Sequence, residues 1–220
     1  MPPPDDPRIR LLEAAGQIFA AKGFEGATVR EICKRAGANI AAVNYYFRDK
    51  ERLYIEAVKH ASCGAVGHPQ LPEWGPDTPA ATKLRDFLRM VVARMMTTDR
   101  PAWYTQLMMR EMAQPTTACT EMVREFVKPL SDILQGILRE ILPPQTPPWR
   151  RFLTGFSIVG QCLYHVQNKP IAALLAGEHY AHFTPEAVAD HVTEFSLAAL
   201  GLGPPLMKCR LEPIQVEQTR

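Results

Sequence analysis

Within TVREICKRAGANIAAVNYYFRDK, residues 28 to 50, a single glycine decides what this chain can fold into. Gly37 interrupts a helical pattern, and having no side chain it can take the left-handed backbone that closes a helix. Asn39, two residues on, is suited to cap a new one. Upstream, Thr28 is an N-cap residue, Arg30 and Glu31 open a short helix, and Ile32, Cys33 and Ala36 give it one apolar side. Downstream, Ile40, Val43 and Phe47 form a narrow apolar stripe, and the other face carries Ala41, Ala42, Asn44, Tyr45 and Tyr46. The stretch is predicted to be two short helices joined by a tight turn.

A helix face of small residues, one amide and two phenols is poorly explained by burial and suits the edge of a DNA major groove. The alanines permit close approach and can pack on a thymine methyl, Asn44 can bond a base edge or a phosphate, and the tyrosines can donate to phosphates. Arg30, Lys34, Arg35, Arg48 and Lys50 against Glu31 and Asp49 leave the stretch net positive, as a polyanion partner requires. The bland alternative is a helical hairpin with a solvated face.

GATVREICKRAGANIAAVNYYFRDKERLY also resembles the N-terminal DNA-binding domain of the TetR family of bacterial transcriptional regulators, over about Arg8 to His60. The resemblance implies that Asn39 to Tyr46 form the recognition helix, with Thr28, Tyr45, Tyr46 and Lys50 as backbone contacts. Arg30 matches a position that reads a base in some members. Asn44 stands where a tyrosine is more common, which leaves both a base and a phosphate contact open. The expected DNA-contacting set is therefore Thr28, Arg30, Asn39, Ile40, Ala41, Ala42, Asn44, Tyr45, Tyr46 and Lys50.

The overall charge of +2 on 220 residues is too small to attract nucleic acid in bulk, so attraction must come from local placement. With 46% hydrophobic and 22% charged residues the balance is that of a globular protein of one or two domains. Cys33, Cys63, Cys119, Cys162 and Cys209 are odd in number, widely spaced and without a C-x-x-C pair, which points to a reducing cytoplasm rather than a disulfide or zinc framework. No signal-like opening and no apolar run of membrane-spanning length occurs, so no membrane partner is expected.

MPPPDDP reads as a disordered lead-in. A first helix then runs from Arg8 to a stop at Lys22-Gly23, and a fourth from its cap Asp49 to about Ser62. GAVGHPQLPEWGPDTP, residues 64 to 79, is the candidate boundary between a DNA-binding domain at 8–62 and an effector-binding and dimerisation domain at 80–200. The second domain reads as helices throughout: one on Leu84 to Met95, one on Trp103, Leu107, Met108 and Met112, a long one from Met122 to Ile141 kinked at Pro129, one from Trp149 to about Asn168, and one from Pro185 to Leu200. The fold class is all-α.

His179 and His182 beside Glu178 lack a third ligand, and neither a nucleophile elbow, a P-loop nor a dinucleotide fingerprint is present. No metal, no cofactor and no enzymatic activity is expected. The two last helices are apolar over more than one side, so they need cover either from the chain itself or from a second copy. A two-fold dimer reading two half-sites is the better account, with Phe152, Phe156, Val159, Gly160, Leu163, Val188, Val192 and Phe195 as the expected seam. WYTQLMMREM, VGQCLYHVQNK and HVTEFSLAAL further resemble the C-terminal domain of the CecR-like subgroup over about residues 80 to 200. That resemblance implies a small apolar or amphipathic effector, for which Trp103, Leu107, Met108, Arg110, Gln161, Tyr164 and His165 are the candidate contacts. The function expected is a sequence-specific DNA-binding regulator, a homodimeric repressor released from its operator by an effector. A helical ligand-binding or scaffold protein without DNA binding is the alternative.

Overall fold

A cap or a breaker sets the edge of each of the first helices. In the computed structural model, which describes residues 6–63, 72–96 and 101–205, helix α1 spans Pro7–Gly26 and starts where the Asp6 carboxylate accepts from the Arg8 amide. Its regular part ends at Gly23, whose φ of 75° is open to glycine, followed by one more turn. The Thr28 hydroxyl accepts from the Glu31 amide and begins α2 (Val29–Ala36), and Gly37 at φ 62° closes it. Asn39 accepts from the Ala42 amide and begins α3 (Ile40–Phe47). Asp49 accepts from the Arg52 amide at 2.7 Å and begins α4 (Lys50–Cys63).

The remaining helices are α5 (Ala80–Met96), α6 (Ala102–Ala113), α7 (Thr117–Met122), α8 (Lys128–Ile141), α9 (Pro148–Gln167), α10 (Lys169–Ala176) and α11 (Pro185–Ala199). No strand occurs among the described residues, and the fold is all-α. Just before Pro129, where a kink was expected, the chain widens into a π-helical turn over Val123–Val127, with the Lys128 amide reaching back five residues to the Val123 carbonyl. The wide turn lies just before a ring that cannot donate a hydrogen bond, so the strain of the proline is absorbed upstream. The segment after Asn168, to which the sequence pattern assigns no helix, is α10 followed by a 3₁₀ segment, Gly177–His182, that carries His179 and His182 on its exposed side. The expected lead-in up to residue 5, the linker at 64–71, the side chain of Cys63, Cys209 and the tail beyond 205 lie outside the described residues.

By contacts the chain forms two compact units, in which segments of the expected 8–62 and 80–200 domains are shared. The first takes residues 1–70 and 97–133, the second 71–96 and 134–220. In the first, α6 packs along α1 and α7 along α4, so one core joins Leu11, Phe19, Ile32, Phe47 and Leu53 with Trp103 and Leu107. Gly16 is the notch that admits α6: a methyl there would come within 2.0 Å of the Trp103 ring. In the second, α5, α9 and α11 pack on one another, burying Leu84, Leu88, Val92, Ile158 and Val192. Gly155 lets α9 approach α8, since an added methyl would stand 3.0 Å from Gln135 and 3.4 Å from Leu134.

Candidate nucleic-acid interface

The sequence of α3 divides its faces cleanly. Val43 and Phe47 are buried at 1% exposure each, whereas Tyr45 is 82% and Ile40 48% exposed. Ala41, Asn44 and Tyr46 are exposed with them, as are Thr28, Arg30 and Asn39, and Ala42 is half-buried. Ile40, expected on the inner stripe as well as among the DNA contacts, therefore lies on the outward side. The rings of Tyr45 and Tyr46 meet edge to face at 4.9 Å, which limits their rotamers in advance of any ligand. The outward surface thus offers an amide, two phenols and small residues.

Three expected contacts have other work in the free chain. The Thr28 and Asn39 side chains hold helix starts, so any phosphate contact from them would share those oxygens. Lys50 Nζ lies 4.5 Å from the centre of the Phe24 ring and 3.5 Å from the Glu25 carbonyl, a position that holds an otherwise loose side chain at the edge of α3 and α4.

Behind this surface, α4 is fixed by groups that sequence reading did not find. Glu111 of α6 is fully buried. Its Oε1 accepts from the Thr116 amide at 2.7 Å, the Thr116 hydroxyl at 2.7 Å and the Cys119 amide at 3.0 Å, and its Oε2 accepts from the Tyr54 hydroxyl at 2.5 Å. One carboxylate therefore caps α7 and ties it to α4. Burial first, then the bond to Glu111, pushes the Tyr54 phenol well above its ordinary value and keeps it a neutral donor. Around it Arg52 pairs with Glu121 and Glu56, and Lys59 with Glu125 and Glu56. Burial acts to lower the Lys59 pKa, but Glu125 and Glu56 outweigh it and hold the ammonium above its usual range.

The candidate effector residues fall into both units. Trp103 and Leu107 are core of the first unit at 6% and 0% exposure, which leaves them no free surface for a ligand there. Met108 and Arg110 are half-buried, and Arg110 lies against Gly23, where an added methyl would meet its guanidinium at 2.7 Å. Met112, expected on the inner face of α6, is exposed, its place being taken by Tyr104 and Glu111. Gln161 and His165 of α9 are half-buried and Tyr164 is 46% exposed. Burial, then the neighbouring His191, lowers the His165 pKa and favours the neutral ring.

The expected dimer residues also divide. Phe152, Phe156 and Phe195 are 43%, 64% and 46% exposed, Gly160 faces open space, and Val159 and Leu163 are half-buried. Val188 and Val192 are not available to a second copy: at 5% and 0% exposure they are spent on packing within their own unit, where α11 meets α5 and α9. Among the described residues no cluster of three or more ligating side chains could hold a metal, and no helix is long and apolar enough to cross a membrane.

Comparison with known proteins bears on this surface directly. Residues 11–57 match the family model described as bacterial regulatory proteins, tetR family, and residues 80–200 match the C-terminal domain of the HTH-type transcriptional dual regulator CecR. The CecR protein of Shigella flexneri is 25% identical over 177 residues, 76% of this chain and 79% of that protein. The transcriptional repressor AcnR of Corynebacterium diphtheriae is 32% identical over 97 residues, 42% of this chain and 51% of the relative. Among solved structures, the transcriptional regulator FadR from Bacillus subtilis in complex with stearoyl-CoA shares the fold at a TM-score of 0.59 and 18% identity, over 86% of this chain and 97% of its own. The hemolysin II transcriptional regulator HlyIIR does so at 0.52 and 21%, over 81% and 97%. A helix-turn-helix with an outward polar face, continued by a matching regulatory domain over more than half of the sequence, places this chain in the TetR family of bacterial transcriptional regulators, with a C-terminal domain of the CecR type.

Proposed function

We propose that the chain acts in the cytoplasm as a homodimer that represses transcription by seating α3 of each copy in a major groove, and that a small apolar or amphipathic effector releases it. The observation that carries the reading is the division of α3: Val43 and Phe47 anchor it while Ala41, Asn44, Tyr45 and Tyr46 stand outward. One such helix reads only a few base pairs, and two reach half-sites about 34 Å apart or a multiple of that. The unburied stripe of α9, Phe152, Phe156 and Gly160, with Phe195 of α11, supports a second copy as its cover. Val188 and Val192 drop out of that seam. Of the effector candidates, Gln161, Tyr164 and His165 on α9 keep surface to offer within the second unit, and Met108 and Arg110 on α6 keep some within the first. FadR, a structure with the same fold, was solved with an acyl-CoA, which supports an amphipathic ligand class here. Such a ligand acts only by binding the DNA-incompetent arrangement better, and a coupling of ~1–3 kcal/mol changes affinity roughly 5- to 150-fold.

Gel mobility with fragments of the gene's own upstream region, titrated with salt, tests the central claim. The unliganded protein should retard one fragment in a salt-sensitive manner. Lys50→Ala should weaken every duplex alike and flatten the salt slope by roughly one unit per protomer, whereas Asn44→Ala should alter the ranking among sequences. A protein that shifts no fragment at low salt is not an operator-binding regulator. Uniform weakening by Asn44→Ala would assign that amide to phosphate instead.

A further inference from the structure

Between α3 and α4 the backbone does something that it does nowhere else among the described residues: a residue other than glycine takes a positive φ. That residue is Arg48, at φ 70° and ψ −53°. The Asp49 amide donates to the Phe47 carbonyl at 2.9 Å, which closes a three-residue γ-turn of the positive-φ kind with Arg48 at its apex. This turn is rare and strained for any residue with a side chain, and glycine makes it without that strain. The turn has a local purpose, since the Arg48 amide donates to the Asn44 carbonyl to end α3 and the next residue, Asp49, caps α4. Nothing in that purpose calls for a guanidinium.

The side chain at the apex is exposed, and no hydrogen bond or ion pair engages its guanidinium among the described residues. A cation at the C-terminal end of α3 does gain from the helix dipole, but that gain is screened at an exposed site and any lysine or arginine one turn earlier would collect it without strain. The position is also specific. Arg48 lies between Tyr45 and Tyr46 on one side and Lys50 on the other, so the strained apex sits within the run of residues on which the DNA reading rests. Strain held in place by its surroundings and joined to an unengaged functional group is the usual mark of a group kept for a ligand. Guanidinium is the side chain that meets a phosphate with two parallel N–H donors.

We infer that Arg48 is a phosphate-backbone contact, presented by the γ-turn so that it fixes the C-terminal end of the recognition helix against a DNA strand. The inference rests on the DNA-binding reading above. Three variants separate its parts: Arg48→Gly removes both strain and charge, Arg48→Ala removes charge alone, and Arg48→Lys keeps both. Each is titrated across salt concentrations on the upstream fragment that the unmodified protein retards and on a random-sequence duplex at low salt. Arg48→Gly and Arg48→Ala should weaken both duplexes by the same factor and flatten the salt slope by roughly one unit per protomer, with Arg48→Lys keeping the slope. In the absence of DNA, Arg48→Gly should raise the thermal midpoint by about 2–4 °C while Arg48→Ala does not, because only glycine relaxes the turn. Wild-type affinity and slope in Arg48→Gly and Arg48→Ala would overturn the inference, as would a loss confined to the upstream fragment, which would make Arg48 a sequence reader. An unmodified protein that binds neither duplex would instead overturn DNA binding itself.

Discussion

Glu111 shows how a single side chain can be invisible in a sequence and decisive in a fold. A carboxylate in WYTQLMMREM reads as part of a solvated face, because the pattern carries no trace of a phenol 57 residues away. Buried, it is fully answered by two amides and two hydroxyls. Tyr54→Phe removes one of those donors and leaves Oε2 with none, at an expected cost of ~1–3 kcal/mol. Urea unfolding measures this directly, and a loss of only a few tenths would mean that the carboxylate finds other partners. Thr28, Gly37 and Asn39 lie at the opposite extreme. Their capping partners are three or four residues away, so the bounds of α2 and α3 are legible without any tertiary contact.

At the scale of helices, what was legible followed from periodicity and what was not followed from packing partners. The start of α4 after its cap Asp49 and the start of α11 at Pro185 came from local pattern. α10 was missed because KPIAALLA is short and has no side-chain N-cap, so nothing local marks its beginning. The seam residues Val188 and Val192 were misplaced for a related reason: a stripe tells which face is apolar and not what covers it. The attachment of α6 to α1 is equally non-local, since it depends on Trp103 entering the notch at Gly16. Gly16→Ala should therefore cost about 1–3 kcal/mol through overpacking, even though alanine is the better helix former. In a Trp103→Leu background the same substitution should cost much less, a coupling that a double-mutant cycle reads out. Additive effects would show that the ring does not occupy the notch.

For the whole molecule, assembly and synthesis both depend on how the two units share the chain. Gly160 is exposed with open space around it, so Gly160→Arg should leave the fold intact while placing charge on the proposed seam. Sedimentation should then give a folded monomer with weakened DNA binding, and a variant that remains dimeric would move the seam off this face of α9. The reading head is a different matter, because it is not finished where the family's DNA-binding segment ends at residue 57. It needs Trp103, Tyr104 and Glu111 from beyond the first helix of the other unit, and its last residues, up to 133, belong to a helix whose next residue already belongs to that unit. On the ribosome, a chain that has emerged only as far as α4 presents the empty Gly16 notch and Tyr54 without its acceptor. Such a chain has its recognition helix but lacks the support behind it. The packing behind the recognition helix is thus completed only when more than half of the protein has been made, and a chain stopped earlier carries the reading residues without the core that fixes them.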